Sequence, residues 1–202
     1  MRLSADALAG KVPLAWRAFA TVVLLSLALL ALVQQRASIL QTGAEVRLRT
    51  VPVDPRDLFR GDYVVFAYEI GTVDAGNASG FRRGEQVYVT LKPGPDGFVR
   101  AESVSREKPA PVAGATVIAG RVTSTSACAR AEDGRLDCSG GRRRLGVSYG
   151  IESYFVPQGQ GVAIERTEKA RIEVVAAVSP SGDAAIKRLL IDGKPVHSEP
   201  PY

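Results

Sequence analysis

Hydrophobic and polar positions follow two regimes along the chain. From Ala18 to Gln35 no residue is charged, and in "AFATVVLLSLALLALV" (Ala18 to Val33) only Thr21 and Ser26 are polar. Further on, the pattern shortens to strict alternation. "EVRLRTV" sets Val46 and Leu48 against Arg47 and Arg49, and "QVYVTL" sets Val87, Val89 and Leu91 against Tyr88 and Thr90. Period-two runs of this kind predict half-buried strands. Turn signals stand at Pro93–Gly97, Asp133–Gly134, Ser179–Gly182 and Asp192–Gly193, and no long amphipathic helical pattern follows residue 35. The expected fold is all-β: one N-terminal transmembrane helix, then a β-rich domain of two similar sheet or small-barrel units.

The eighteen uncharged residues would reach about 27 Å as a helix, close to the roughly 30 Å hydrocarbon core of a bilayer. Trp16 and Arg17 sit at its edge, where an interfacial aromatic and a snorkelling cation belong. A cleaved signal peptide is the competing reading, because Arg2, Lys11 and Arg17 form a basic start. The apolar run is longer than the usual h-region, and "ALV" and "QRA" are poor cleavage sites. An uncleaved anchor is favoured, dividing the chain into residues 1–36 and an exported domain, 37–202. Basic residues flank the span on both sides, so charge alone does not orient it. The short N-terminus and long polar remainder favour N-in, C-out.

The cysteines bear on the compartment. Both lie in "CARAEDGRLDC", and a three-residue loop at Glu132–Gly134 would bring Cys128 opposite Cys138 at a non-hydrogen-bonded position of a hairpin. A disulfide is favoured over two reduced thiols or a metal pair, since His197 is the sole histidine and no further cysteine could complete a zinc site. The bond would imply an oxidising compartment such as the bacterial periplasm, with the anchor in the inner membrane.

Net charge does not suggest a nucleic-acid partner. The whole chain carries +5, but residues 1–35 hold three basic residues and one acidic one, which leaves 23 against 20 on the remainder. The cluster "GRRR" (Gly141 to Arg144) has no interleaved aromatics and reads as a solvated hairpin end.

A weak internal repeat is visible. "VYVTLKPGPDGFVRAESV" (Val87 to Val104) resembles "IEVVAAVSPSGDAAIKRL" (Ile172 to Leu189) in pattern, and Tyr63-x4-Tyr68 is echoed by Tyr149-x4-Tyr154. Repeat units at 43–125 and 140–193 follow, each too small to bury a good core alone.

The densest polar stretch is "VDPRDLFRGDYVVFAYEI" (Val53 to Ile70). With Asp54 as N-cap, Pro55 fits the first helical position, Asp57 can reach back to the cap N–H, Val53 can staple to Leu58, and Gly61 can end the turn. Asp62, Tyr63 and Tyr68 remain. In a strand, Tyr63 falls on the face of Val65 and Ala67, while Tyr68 shares the other with Val64 and Phe66. The structural reading has each ring packed and its hydroxyl bonded to backbone; the functional reading makes Asp62, Tyr63, Tyr68, Tyr149, Glu152 and Tyr154 a contact patch.

"GDYVVFAY" (Gly61 to Tyr68) resembles the signature of the GDYXXLXY family of membrane-anchored bacterial proteins, with Phe66 where the pattern has Leu. "VDPRDLFRGDY" and "YGIESYFVPQGQG" (Tyr149 to Gly161) extend the likeness over most of residues 43–193. The resemblance implies an anchor and an architecture more than an activity.

No catalytic constellation, metal cluster or cofactor motif stands out, so catalytic residues, metals and cofactors are expected to be absent. Beyond the bilayer that takes residues 18–35, the expected partner is an envelope or membrane protein, bound without catalysis. Two enzymatic alternatives stand beside this reading. "RGDYVVF" is similar to a strand motif of type I signal peptidases, but their Ser-Met and Lys motifs are missing here. A glycan or peptide hydrolase using Asp62 and Glu152 as a carboxylate pair is the stronger rival. His197 lies in "KPVHSEPPY", expected to fray.

Overall fold

The computed structural model describes residues 13–51, 63–76, 80–126, 129–130, 136–137, 143–155, 164, 167–168 and 171–198. Helix α1 (Leu14–Thr42) is 29 residues long, about 43 Å at helical rise. Its apolar window is entirely bare, with Leu24 and Leu29 each about two-thirds exposed. It is long and apolar enough to cross a membrane. The helix outlasts the apolar run: residues 37–42, assigned from the sequence to the exported domain, are helical. The physical reason lies at Ile39 and Leu40, which are buried in a small cluster with Ala177 and Ala185. Gly43 ends the helix, its N–H donating to the Ile39 carbonyl at 2.9 Å. The chain divides into two compact units after Ser38.

The second unit is built from strands β1 (Ala44–Val51), β2 (Tyr63–Val65), β3 (Ala67–Tyr68), β4 (Thr72–Asp74), β5 (Gln86–Pro93), β6 (Val99–Ser105), β7 (Thr116–Ser126), β8 (Ala129–Arg130), β9 (Leu136–Asp137), β10 (Arg144–Ser148), β11 (Ser153–Phe155), β12 (Ile172–Val178), β13 (Ala184–Ile191) and β14 (Lys194–Ser198). They form two five-stranded sheets, ordered β14-β13-β12-β1-β3 and β4-β10-β7-β5-β6, with short pairs β11-β2 and β8-β9. Edge strands β4 and β6 approach one another, so the second sheet curls into a nearly closed barrel. The alternation of β1 is explained by its neighbours. Val46 and Leu48 enter the core, while Arg47 pairs with Glu173 at 2.7 Å and Arg49 with Asp96 at 3.0 Å on the outer face.

The two sheets are copies of one design. In the β5–β6 hairpin a bulge separates the pair Thr90↔Ser103 from Leu91↔Ala101. In the β12–β13 hairpin a bulge separates Val175↔Arg188 from Ala176↔Ile186, 85 positions further on at every residue. The turns agree as well, since Gly94 and Ser179 each donate to the carbonyl four residues later and accept from the glycine three residues later. β7 flanks β5 as β1 flanks β12: Ile118 faces Val89, Leu48 faces Val174, and Ile118 and Leu48 are both fully buried. β10 pairs with β4 as β2 pairs with β11, now at a shift of 81, with Leu145↔Val73 matching Val64↔Tyr154.

The halves are nevertheless interleaved. The first sheet combines β1 and β3 with β12–β14, and the second combines β4–β6 with β7 and β10. One continuous core cluster runs through both. Neither half of the sequence holds a complete sheet, in keeping with the small area a half could bury alone. β14 and the β8–β9 hairpin have no counterpart among the described residues. β14 also corrects the expected fraying at His197: Lys194–Ser198 pairs with β13, and the His197 ring meets that of Tyr154 edge-on at 5.6 Å.

Candidate functional site

The family-like stretch lies where the two halves exchange segments. Phe66 has its side chain in the core, and its N–H donates to the Glu152 carbonyl at 2.7 Å. Two residues on, the Tyr68 hydroxyl donates to the carbonyl of Ile151 at 2.6 Å. The Tyr149 hydroxyl donates to the carbonyl of Ile70, also at 2.6 Å. Each tyrosine therefore bonds the isoleucine two places beyond the other tyrosine, a reciprocal clasp across a local pseudo-twofold. Burial, and secondarily the negative charge of Glu152, raises both phenol pKa values above the usual 10.0. The Glu152 carboxylate itself is engaged, one oxygen accepting from the Tyr149 N–H and the other from the Gly150 N–H. Gly150 makes this tight turn possible with φ +76°, the left-handed region that favours glycine.

This geometry matches the reading in which the Tyr68 ring is packed and its hydroxyl bonds backbone, and it corrects the contact-patch reading for the buried tyrosines. Tyr68, Tyr149 and Tyr154 are 4%, 7% and 5% exposed, so they lie inside the domain and offer almost no surface. It also corrects the sequence echo: the position equivalent to Tyr149 is Tyr68, not Tyr63. The two linkers between the matched blocks differ by four residues, so no single shift aligns the whole repeat. Tyr63 is described only by its backbone pairing with Phe155. Asp54, Pro55, Asp57, Gly61, Asp62, Cys128 and Cys138 lie outside the described residues. The pairs Ala129↔Asp137 and Arg130↔Leu136 have the register that the Cys128–Cys138 hairpin reading requires.

Beside the clasp opens a groove of about 540 Å³, within the size range of ligand clefts. Gly84, Gly120 and Gly150 contribute to its lining, with Arg83, Arg121 and Asp183 as its charged groups. Arg121 is anchored by Nη1, which donates to the Gly84 carbonyl at 2.6 Å. The adjoining Thr123 is a bulge residue, skipped where Gly146 faces Ser124 and Val147 faces Val122; such bulges re-aim side chains near sites. The sequence carried no signal for this groove, because its charged residues come from three distant turns and strands. Among the described residues no group of three or more His, Cys, Asp or Glu could hold a metal ion.

Gly120 is a point of close approach. A Cβ there would meet Val147 Cγ1 at 2.4 Å, and the Ser148 carbonyl oxygen and Tyr149 Cδ1 at 3.0 Å. Gly120→Ala is expected to cost about 1–3 kcal/mol through overpacking, measured by urea unfolding. An unchanged midpoint would refute the close approach.

A family model described as GDYXXLXY protein matches residues 25–189. No curated protein and no solved structure matches the chain.

Proposed function

The chain belongs to the GDYXXLXY family, and from that premise we propose that it is a single-pass bacterial inner-membrane protein whose periplasmic β domain binds an envelope or membrane protein. The observation that carries this reading is α1. Its apolar side chains are bare along the whole window, a surface that is costly in water and suited to lipid. The helix continues through Thr42, and only Gly43 separates it from β1. Residues 18–35 would lie in the bilayer, the N-terminus in the cytoplasm. An interaction role is preferred to hydrolysis through Asp62 and Glu152, because both Glu152 oxygens accept backbone N–H bonds and serve the turn.

Mild crosslinking of the full-length protein in native membranes, followed by capture, is expected to recover a specific membrane or envelope protein. Recovery of none, together with release of the chain by alkaline washing, would overturn the reading. The periplasmic placement makes a second prediction: Cys128 and Cys138 resist alkylation under denaturing, non-reducing conditions and react after reduction. Labelling before reduction would remove the disulfide and this support for an oxidising compartment.

A further inference from the structure

The duplication lets one half of the domain serve as a reference for the other. In the turn of the β5–β6 hairpin stands Phe98; 85 residues later, in the turn of the β12–β13 hairpin, stands Asp183. On the strand each turn meets, Arg49 of β1 corresponds to Ala119 of β7. In the first half these positions are filled: the Phe98 ring lies 4.7 Å from the Arg49 guanidinium and 5.0 Å from that of Arg47. Cation–π contacts of this kind close the surface with the chain's own groups. In the second half the same two places hold an alanine and a short carboxylate. The turn meets β7 through a backbone bond, the Ala119 N–H donating to the Gly182 carbonyl at 2.9 Å. Thr50, beside Arg49, also gives way to Gly120. The groove is therefore the place where one copy keeps a plug that the other lacks.

Its polar groups are arranged along β7. Asp183 stands at the Ala119 end. Arg121 stands two residues along the strand, bonded over the turn that carries Arg83. The two arginines offer donors to carboxylates, and the Asp183 carboxylate, one oxygen of which accepts from the Ser181 hydroxyl at 2.8 Å, has the other to accept an N–H donor. Resting on the interaction reading above, we infer that this groove docks an acidic segment of the partner's polypeptide. The segment's side-chain carboxylates meet Arg83 and Arg121, and its backbone or side-chain N–H groups meet Asp183. The glycine-lined floor lets an extended backbone approach closely.

The test is fluorescence anisotropy on the full-length protein in lipid nanodiscs. The probe is a labelled peptide of alternating Asp, Glu and Gly, with its Asn, Gln and Gly analogue as control. Saturable binding of the acidic probe is expected, weakened about fivefold by Arg83→Gln or Arg121→Gln, and weakened again by added salt. The double change Ala119→Arg, Asp183→Phe copies the Arg49–Phe98 plug and is expected to abolish binding while leaving the melting curve intact. Should that double variant fail to fold, the exposed Arg83→Gln variant decides alone. Equal binding of the amide analogue, unchanged affinity in the arginine variants, or displacement by inorganic phosphate as effective as by unlabelled peptide would each overturn the inference. Capture of a membrane partner by a groove-plugged protein as well as by the wild type would overturn the groove assignment and leave the interaction module standing.

Discussion

Phe66→Ala is expected to lower the stability of the β domain by about 3–5 kcal/mol, the range for truncating a buried aromatic. Phe66 is 1% exposed and sits between β2 and β3, where the first half crosses into the second. Its ring lies 6.4 Å from that of Tyr68, and its N–H holds the Glu152 carbonyl. Loss of the ring leaves a cavity at the junction of both sheets. Phe66→Leu restores the residue of the family pattern and is expected to cost less than about 1.5 kcal/mol, since a volume-tolerant hydrophobic swap repacks. Urea unfolding of the full chain in micelles, followed by circular dichroism, separates the two. An alanine variant no weaker than the leucine variant would show that the junction is not packed as described.

Tyr68→Phe and Tyr149→Phe are expected to destabilise the domain equally, by about 1–3 kcal/mol each, because each leaves one buried carbonyl without its donor. Equal costs are the signature of the pseudo-twofold clasp; a large difference would mean that only one of the two bonds matters. The clasp also sets an alkaline limit. Both phenols have pKa values raised above 10.0 in the folded state. Their neutral form is thus favoured by folding, and the stability they contribute is fully present below pH 10. It is lost as pH rises from the unfolded pKa toward the folded one. Thermal midpoints measured from neutral pH to above pH 10 are expected to fall on the alkaline side, and the double Tyr→Phe variant to fall less steeply.

What could be read from the sequence was whatever depends on local period. The apolar run became α1, and the alternation of Val46 and Leu48, or of Val87, Val89 and Leu91, matched the buried positions. The hairpin repeat was visible because its shift of 85 is constant within the paired strands. Thr90, read as polar-face, is buried, because β5 lies between β6 and β7 in a sheet that curls on itself. For a related reason the packed and contact-patch readings of the tyrosines could not be separated in the sequence. A period places Tyr68 on a face but does not say that the opposite half covers that face. The exchange of strands between sheets leaves no mark in any single segment. Nor does the groove, which is defined by what Ala119, Gly120 and Asp183 lack relative to Arg49, Thr50 and Phe98.

The pairing of β1 with β12 constrains how the protein is made. Arg47 and its partner Glu173 are 126 residues apart. At roughly 5–20 residues per second of synthesis, the first strand waits about 6–25 s for the strand that completes it. Through that interval the edge that β12 will cover is unpaired, and distant strand pairing of this kind is slow even once the chain is whole. The first sheet cannot be completed stepwise as the chain is made. The unfinished first sheet must stay soluble until the last hairpin arrives.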